Sequence, residues 1–434
     1  MNYKICYSSI FLTLLSSFLF IGSCASIPVN VSPNGRHIPA DFAGIVHAGM
    51  TDDGGEYDLI NSMGISWMLQ TFYWHIIEPE QGQWDYELYD TFLDNAIANN
   101  KKVLGVLAYD VYWIHDDKNA RDYISGDQIP FFLEYVRRTA EHFKGRVSAW
   151  SIWNEPNFSR FWTGTIEEFV ELSRQTADVI KEVDSDVIIL AGAFNRGVSG
   201  MPKKFIKRLF ESGAMEKVDF IAFHPYEMGV SRSIQLYERF RVIVDRYGFS
   251  DRIWVTEMGF PTGGWYPTKV SEKKFPAAVV KIFAHLAAAG AQKLLWYQLF
   301  DPEERSLMNS ENYFGLVRSR EDRTSKAAQA YRLCALYMPG AVCYVLNEGL
   351  PGSIKAFWFN GPDTSALILW KDGSGSSALN LKLPGTDHLQ HNIVTGNQSS
   401  ISNEIIIKAG SDPVFITYTN DFSGGELRPV FLSK

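Results

Sequence analysis

Two glutamates stand where apolar runs stop. Ala149-Trp150-Ser151-Ile152-Trp153-Asn154-Glu155-Pro156 reads as a buried strand ending on a carboxylate, and Arg252-Ile253-Trp254-Val255-Thr256-Glu257-Met258-Gly259 ends the same way. Glu155 and Glu257 lie roughly a hundred residues apart, so a barrel could bring both to one end. Two facing carboxylates are what glycoside hydrolysis uses. One carboxyl protonates the departing oxygen, and the other attacks the anomeric carbon. A lone Glu after a strand is usually a solvated loop group. Two of them, each closing a strand expected to face one pocket, point to chemistry, and that chemistry needs neither cofactor nor metal.

Such residues need a frame. Eight short apolar runs recur between Phe42 and Phe300: Phe42–His47, Ser66–Trp74, Lys102–Tyr109, Val147–Asn154, Val187–Phe194, Phe220–Tyr226, Ile253–Phe260 and Lys293–Phe300. They are nearly continuous in apolar residues, as strands buried on both faces should be. Helical segments lie between them. Leu88, Phe92, Leu93, Ala96 and Ile97 form one stripe; Pro130 suits a first helical turn; Thr165 and Glu168 form a capping box; Ser271-Glu272 opens another helix. Eight strands alternating with helices predict an α/β fold, a (β/α)8 TIM barrel. A doubly wound sheet is the alternative, weakened because no Gly-rich phosphate loop follows any strand. After a last helix near Ser325–Met338, short runs punctuated by Pro351-Gly352, Asn360-Gly361-Pro362, Asp372-Gly373 and Pro384-Gly385 predict a C-terminal antiparallel β-sandwich. Its expected strands are Val342–Leu346, Ile354–Phe359, Ala366–Trp370, Leu379–Leu383, Asn392–Val394, Ile405–Ile407 and Val414–Tyr418. The expected domains are a barrel over 25–338 and a sandwich over 339–434, packed together because no long linker separates them.

Barrel sites lie at the C-terminal ends of the strands. In order, those ends offer Tyr73, Tyr109-Asp110, Asn154-Glu155, His224-Pro225-Tyr226, Glu257 and Trp296-Tyr297-Gln298. Phosphoryl transfer wants Lys, Arg or a metal cage, which these ends lack. A zinc site wants clustered His or Cys, and a Ser nucleophile wants a G-x-S-x-G elbow. Neither is present. The net charge of −8 gives no basic footprint for nucleic acid. The aromatic fraction of 14% fills cores first, yet it also suits sugar rings, which stack on aromatic faces.

The N-terminus reads as a removable export segment, residues 1–24. Lys4 precedes a short apolar run, Ile10 to Ile21, and Ile21-Gly22-Ser23-Cys24 resembles a bacterial lipobox with Cys24 as the lipidated residue. Cleavage after Ala25 is the alternative. The expectation is an exported cell-envelope lipoprotein held to a membrane by lipid alone, or otherwise a secreted protein. Cys334 and Cys343 could close a small loop in an oxidising compartment or remain buried thiols.

Several motifs carry a family resemblance. Trp153-Asn154-Glu155-Pro156 with Thr256-Glu257 resembles clan A of the glycoside hydrolases. So do the stretch Trp74 to Tyr86, which contains Glu78-Pro79 and Gly82, and Phe223-His224-Pro225-Tyr226. Asn154-Glu155-Pro156-Asn157 with Phe161-Trp162 is most similar to family 39, which includes β-xylosidases, α-L-iduronidases and endoglycosidases of exopolysaccharides. The resemblance implies a retaining mechanism with Glu155 as acid/base and Glu257 as nucleophile. It implies substrate contacts from Asn154 at the sugar 2-hydroxyl and from Tyr226 with its neighbour His224. It also implies a platform at Trp296, with Tyr109 and Trp162 among the sugar-binding candidates. The clan often carries an Arg on strand two, where this chain has Met68-Leu69-Gln70-Thr71.

The combined expectation is a retaining glycoside hydrolase whose partner is a carbohydrate. A transglycosylase and a catalytically inactive carbohydrate-binding lipoprotein are the alternatives. The acid should carry a raised pKa while the nucleophile stays ionised. Tyr112, Trp113, Trp162, Trp265 and Tyr266 sit beyond several strand ends, which favours a groove and internal cleavage of a polymer.

Overall fold

The computed structural model describes residues 35–50, 54–115, 124, 126–196, 201–265, 269–320, 325–346, 350–421 and 429–432. The export segment with Cys24, and Tyr266, lie outside them. Eight parallel strands close into a barrel: Ala43–Val46, Trp67–Tyr73, Lys102–Ala108, Ala149–Ile152, Ile188–Asn195, Phe220–His224, Ile253–Met258 and Lys293–Trp296. They are called strands one to eight below. Strand one closes the barrel on strand eight, with Ala43 opposite Leu294. Strand one, strand four and strand eight are buried at every residue, as their unbroken apolar runs require.

Local signals place the helices. Thr165 accepts from the Glu168 N–H at 3.2 Å, and the Glu168 carboxylate accepts from the Thr165 N–H at 2.7 Å. This capping box opens the helix Ile166–Val183. Pro130 lies in the first turn of Ile129–His142, and Ser325 caps Lys326–Tyr337. Gly105 on strand three is required by packing. A Cβ there would meet the Trp150 ring of strand four at 2.3 Å.

The N-terminal end of the barrel is sealed by charge. The Asp41 carboxylate accepts from Lys293 at 2.5 Å, Lys102 at 2.7 Å and the Trp67 indole at 3.0 Å. Burial alone would raise its pKa, but those bonds hold it well below the usual carboxylate range.

A seven-stranded antiparallel sheet faces a three-stranded one. The larger runs in the order Arg36–His37, Val342–Val345, Ile354–Asn360, Thr364–Lys371, Val414–Thr419, Thr386–Asn392, Gln398–Ser400. The smaller contains Glu404–Ala409, Ser377–Lys382 and Val430–Leu432. The sandwich packs on the barrel. His285, on the barrel helix Phe275–Ala288, sits 4.9 Å from the Phe357 ring and 5.3 Å from the Trp370 ring.

The sandwich departs from expectation in several places, with Gln398–Ser400 and Val430–Leu432 among the strands not foreseen. The strand expected at Asn392–Val394 lies earlier, over Thr386–Asn392. The Asn392 side chain instead accepts from the Val394 and Thr395 N–H groups and turns the chain. Thr-Asp-His-Leu-Gln-His-Asn has too few apolar residues to announce a strand, and pairing to Val414–Thr419 makes it one. Arg36–His37, far away in sequence, adds an edge strand against Val342 and Cys343. Of the two readings of the cysteines, the buried thiols hold and the disulfide does not. Cys334 on the helix and Cys343 on the strand are both free and fully buried. Burial pushes both thiols up, so each behaves as a small apolar core group.

Candidate active site

Strand four turns sharply at its end. Trp153 and Glu155 adopt left-handed backbone, with φ of 59° and 47°. L-residues adopt that conformation at a cost, and the surroundings hold it here. The Trp153 indole donates to the Phe161 carbonyl at 2.9 Å, and the Glu155 N–H donates to the Ala193 carbonyl at 3.2 Å. The Glu155 side chain is thereby held at the barrel mouth, only 5% exposed.

His224 lies between the two glutamates. Its Nδ1 is 2.9 Å from Glu155 Oε1 and 3.7 Å from Glu257 Oε2, while its Nε2 is 2.9 Å from Thr256 Oγ1. The Tyr226 hydroxyl donates to Glu257 Oε2 at 3.2 Å. One carboxylate oxygen of Glu155, one of Glu257 and a ring nitrogen of His224 all lie within 4.8 Å of one another. By donor type these three are also the described residues that could hold a metal ion. The His224–Glu155 hydrogen bond already uses two of those atoms, and the Glu257 oxygen accepts from Tyr226.

Electrostatics shifts the nucleophile candidate. Burial pushes Glu257 up to about 7; His224 opposes the rise, the Glu155 charge adds to it, and the Tyr226 bond opposes it. Burial opposes the His224 charge, but Glu257 and then Glu155 outweigh it and raise its pKa. Sequence reasoning expected the nucleophile to stay ionised, and the buried site raises its pKa instead. Burial is the main cause, and no strand-two cation offsets it. Gln70, buried on strand two, donates to the Ala48 carbonyl at 3.1 Å and bonds His47. No Lys or Arg among the described residues lies within 4.0 Å of Glu257.

The other expected residues divide. The Asn154 amide donates to the Tyr109 hydroxyl at 2.9 Å, and both side chains line the cleft with Tyr226. Trp296 does not. It is fully buried, with its ring against Phe260, Phe275 and Phe283. Strand alternation turns it outward to the helix layer and turns Tyr297 into the cleft. Trp162 is corrected likewise. It is 3% exposed, donates to the Thr165 carbonyl at 3.0 Å and packs on Trp153 and Phe169, so it braces a helix start. Glu78 of the Glu-Pro motif is a bracing group too. It accepts from the Trp74 indole and the Gly82 N–H, each at 2.7 Å.

The cleft encloses about 520 Å³. His47, Tyr73, Phe158, Arg160, Arg196, Tyr297 and Glu311 also line it. Tyr73 and Tyr297 were visible at strand ends. Arg160, Arg196 and Glu311 were not, because they stand on turns and a one-turn 3-10 helix too short to give a periodic signal. The mouth therefore holds two arginines that the strand ends alone did not offer.

Residues 110–253 match the model of Glycosyl hydrolases family 39. The match includes Glu155 and His224 and stops four residues before Glu257, whose place at the site rests on geometry. An endo-1,4-beta-xylanase B from Thermotoga neapolitana is 26% identical over 209 residues, 44% of this chain. The aligned stretch spans 57% of that xylanase. A solved family 39 glycoside hydrolase from Bacteroides cellulosilyticus WH2 has a TM-score of 0.71 at 18% identity, covering 88% of this chain and 81% of its own. A GH39 beta-xylosidase from Caulobacter crescentus has a TM-score of 0.64 at 15% identity, covering 88% and 97%. At such identities the structures share the fold. Through the family match over strands four to six, and the barrel and sandwich held in common with solved family-39 enzymes, this chain is similar to the glycoside hydrolases of family 39.

Proposed function

We propose that the chain is a retaining glycoside hydrolase that cuts within a polysaccharide. The observation that carries the retaining reading is the closeness of Glu155 and Glu257, with oxygens within 4.8 Å. Retaining pairs sit roughly 5 to 5.5 Å apart, and inverting pairs about 6.5 to 9.5 Å, to leave room for a water. The Glu257 carboxylate attacks the anomeric carbon as its bond to the leaving oxygen breaks, and Glu155 gives that oxygen its proton. A glycosyl ester on Glu257 results. Glu155 then takes a proton from water, which attacks the same carbon and frees the Glu257 carboxylate. His224 can hold positive charge beside Glu257 before attack, a task often given to an arginine in this clan.

Internal cleavage is supported by the continuity of the cleft. A cavity of about 370 Å³ adjoins it through Tyr109, Arg160 and Phe161. Another of about 630 Å³ adjoins it through His47, Tyr297 and Glu311. Space therefore continues on both sides of the carboxylate pair. The aromatic argument is narrower than the sequence suggested. Tyr112 lines the smaller cavity and Trp265 is 77% exposed, whereas Trp162 is core. Early products from a susceptible polysaccharide should be mixed oligosaccharides with a rapid fall in polymer size, and the first-formed product should keep the anomeric configuration by NMR. Monosaccharide alone, or inverted product, rejects the respective reading. The substrate sugar belongs to the same proposal: relatives named for xylan and xyloside cleavage make xylan the first polymer to try.

Export with lipid at Cys24 is proposed from the lipobox-like segment. Among the described residues, no helix is long and apolar enough to cross a membrane. Intact mass of the mature protein should begin at a diacylated Cys24; an unmodified Ser26 start would overturn it.

A further inference from the structure

We propose that the leaving-group side of the cleft takes a sugar bearing a carboxylate, a uronate, and that Arg160 reads it. This rests on the glycosidase reading above. Glu155 delivers its proton to the departing oxygen, so the departing sugar must lie beside Glu155 and the turn that follows it. Arg160 stands on that turn. The Phe158 N–H donates to the Glu155 carbonyl at 3.0 Å, and the Phe161 N–H donates to the Phe158 carbonyl at 2.9 Å. Asn157 ties the turn to the end of strand five. Its amide donates to the Asn195 carbonyl at 2.7 Å, and its oxygen accepts from the Asn195 N–H at 3.0 Å. The base of the turn is thus fixed relative to Glu155.

Burial raises the Glu311 pKa and the nearby Arg160 charge opposes that rise, but the guanidinium is not bonded to that carboxylate. Arg160 is exposed, lies 5.5 Å over the Phe161 ring and makes no hydrogen bond or ion pair with any described residue. In the adjoining larger cavity Arg305, Arg318 and Arg320 are already paired with Asp301, Glu272 or Glu56, and Arg196 lines the catalytic cleft but not the smaller cavity. Arg160 lines both the catalytic cleft and the smaller cavity beyond it, so its donors face the space a departing sugar would fill. Phe161 stacks with Tyr109 at 5.8 Å, giving the same wall an aromatic surface. A planar guanidinium with two parallel donors matches a carboxylate in bidentate geometry. A neutral sugar can offer hydroxyl acceptors but not the charge. Glu311 faces the same cleft from the strand-eight loop, and its charge disfavours an acid group placed centrally. Arg160, unlike Glu311, also lines the smaller cavity, where the buried Asp110 carboxylate is held by His115 at 2.6 Å, so the acid belongs on that side.

The test uses the full-length protein on uronate polymers: glucuronoxylan, polygalacturonate and alginate. Each is paired with its own carboxyl-reduced form. Wild type should cleave at least one acid form with kcat/KM about 10- to 100-fold above its neutral partner, the range expected of a charge-assisted bond. Arg160→Met should bring that ratio close to one, and Arg160→Lys should restore part of it. Adding about 0.5 M salt should narrow the wild-type ratio. Equal cleavage of both forms by wild type, or a ratio unchanged in Arg160→Met, overturns the uronate assignment and leaves the glycosidase reading standing. Preference for a sulfated neutral polymer over every uronate overturns the carboxylate in favour of another anion. Absence of turnover on every acid and neutral form overturns the glycosidase reading, and the assignment falls with it.

Discussion

The two ends of the barrel handle buried charge in opposite ways. At the N-terminal end, one carboxylate, Asp41, meets two ammonium groups, Lys102 and Lys293. Its negative charge is favoured there. At the C-terminal end, two carboxylates, Glu155 and Glu257, share a single imidazole. Negative charge is disfavoured there, and Glu257 rises to about 7. The first arrangement suits stability. The second stores electrostatic cost where a nucleophile is wanted, and it would be lowered by a cation that strand two does not supply. Active sites commonly trade stability for function in this way.

The largest effect should follow from removing the nucleophile. Glu257→Gln should lower kcat by about 10⁴-fold or more, an outcome typical of losing an essential catalytic group. The same change should stabilise the fold at pH 8. The sign follows from linkage. A carboxyl whose pKa is raised on folding binds protons more readily in the native state. Stability is thus fully kept below about 4.5, the unfolded value, and declines as pH rises toward 7. The neutral amide escapes that decline. Denaturant unfolding should show a gain of about 3 kcal/mol at pH 8 and little below pH 4. A loss at pH 8 would mean that Glu257 is not electrostatically strained. Activity should run the other way, with kcat/KM falling as pH drops through about 7, since attack needs the ionised form.

Asp41→Asn tests the opposite end. Lys293, with its side chain 9% exposed, would lose its charged partner. The variant should unfold about 3 kcal/mol more easily at pH 7, near the low end for breaking a buried pair, while kcat stays within about twofold. In wild type this contribution is present above the ordinary carboxylate pKa and is lost only as pH falls below it, because the folded value is depressed. A drop in kcat without a change in stability would break the division between the two ends.

The smallest effects should come from neighbouring residues at the strand-eight end. Trp296→Phe should cost about 1 to 3 kcal/mol of stability and leave KM unchanged, since the ring packs away from the cleft. Tyr297→Phe should change KM by a few-fold and stability little. Reversal of the two would restore Trp296 as the sugar platform.

The sequence by itself determined the elements and which strand ends carry chemistry. Near-continuous apolar runs, the Thr165–Glu168 box and Pro130 are local signals, and the barrel followed because eight such units alternate. Glu155, Glu257 and His224 were legible because strand ends in a barrel converge. What depended on long-range packing was not legible. Strand alternation decided that Tyr297, not Trp296, faces the cleft, and only the observed exit of strand eight set that phase. Thr386–Asn392 became a strand through its partner, and Arg36–His37 joined a sheet formed by the other end of the chain. Arg160, Arg196 and Glu311 reached the mouth on turns and a one-turn 3-10 helix whose paths no periodicity records. The pKa of Glu257 is decided the same way: residue type sets an ordinary carboxyl, and burial beside Glu155, His224 and Tyr226 moves it, because charge energies depend on distances that exist only in the folded chain.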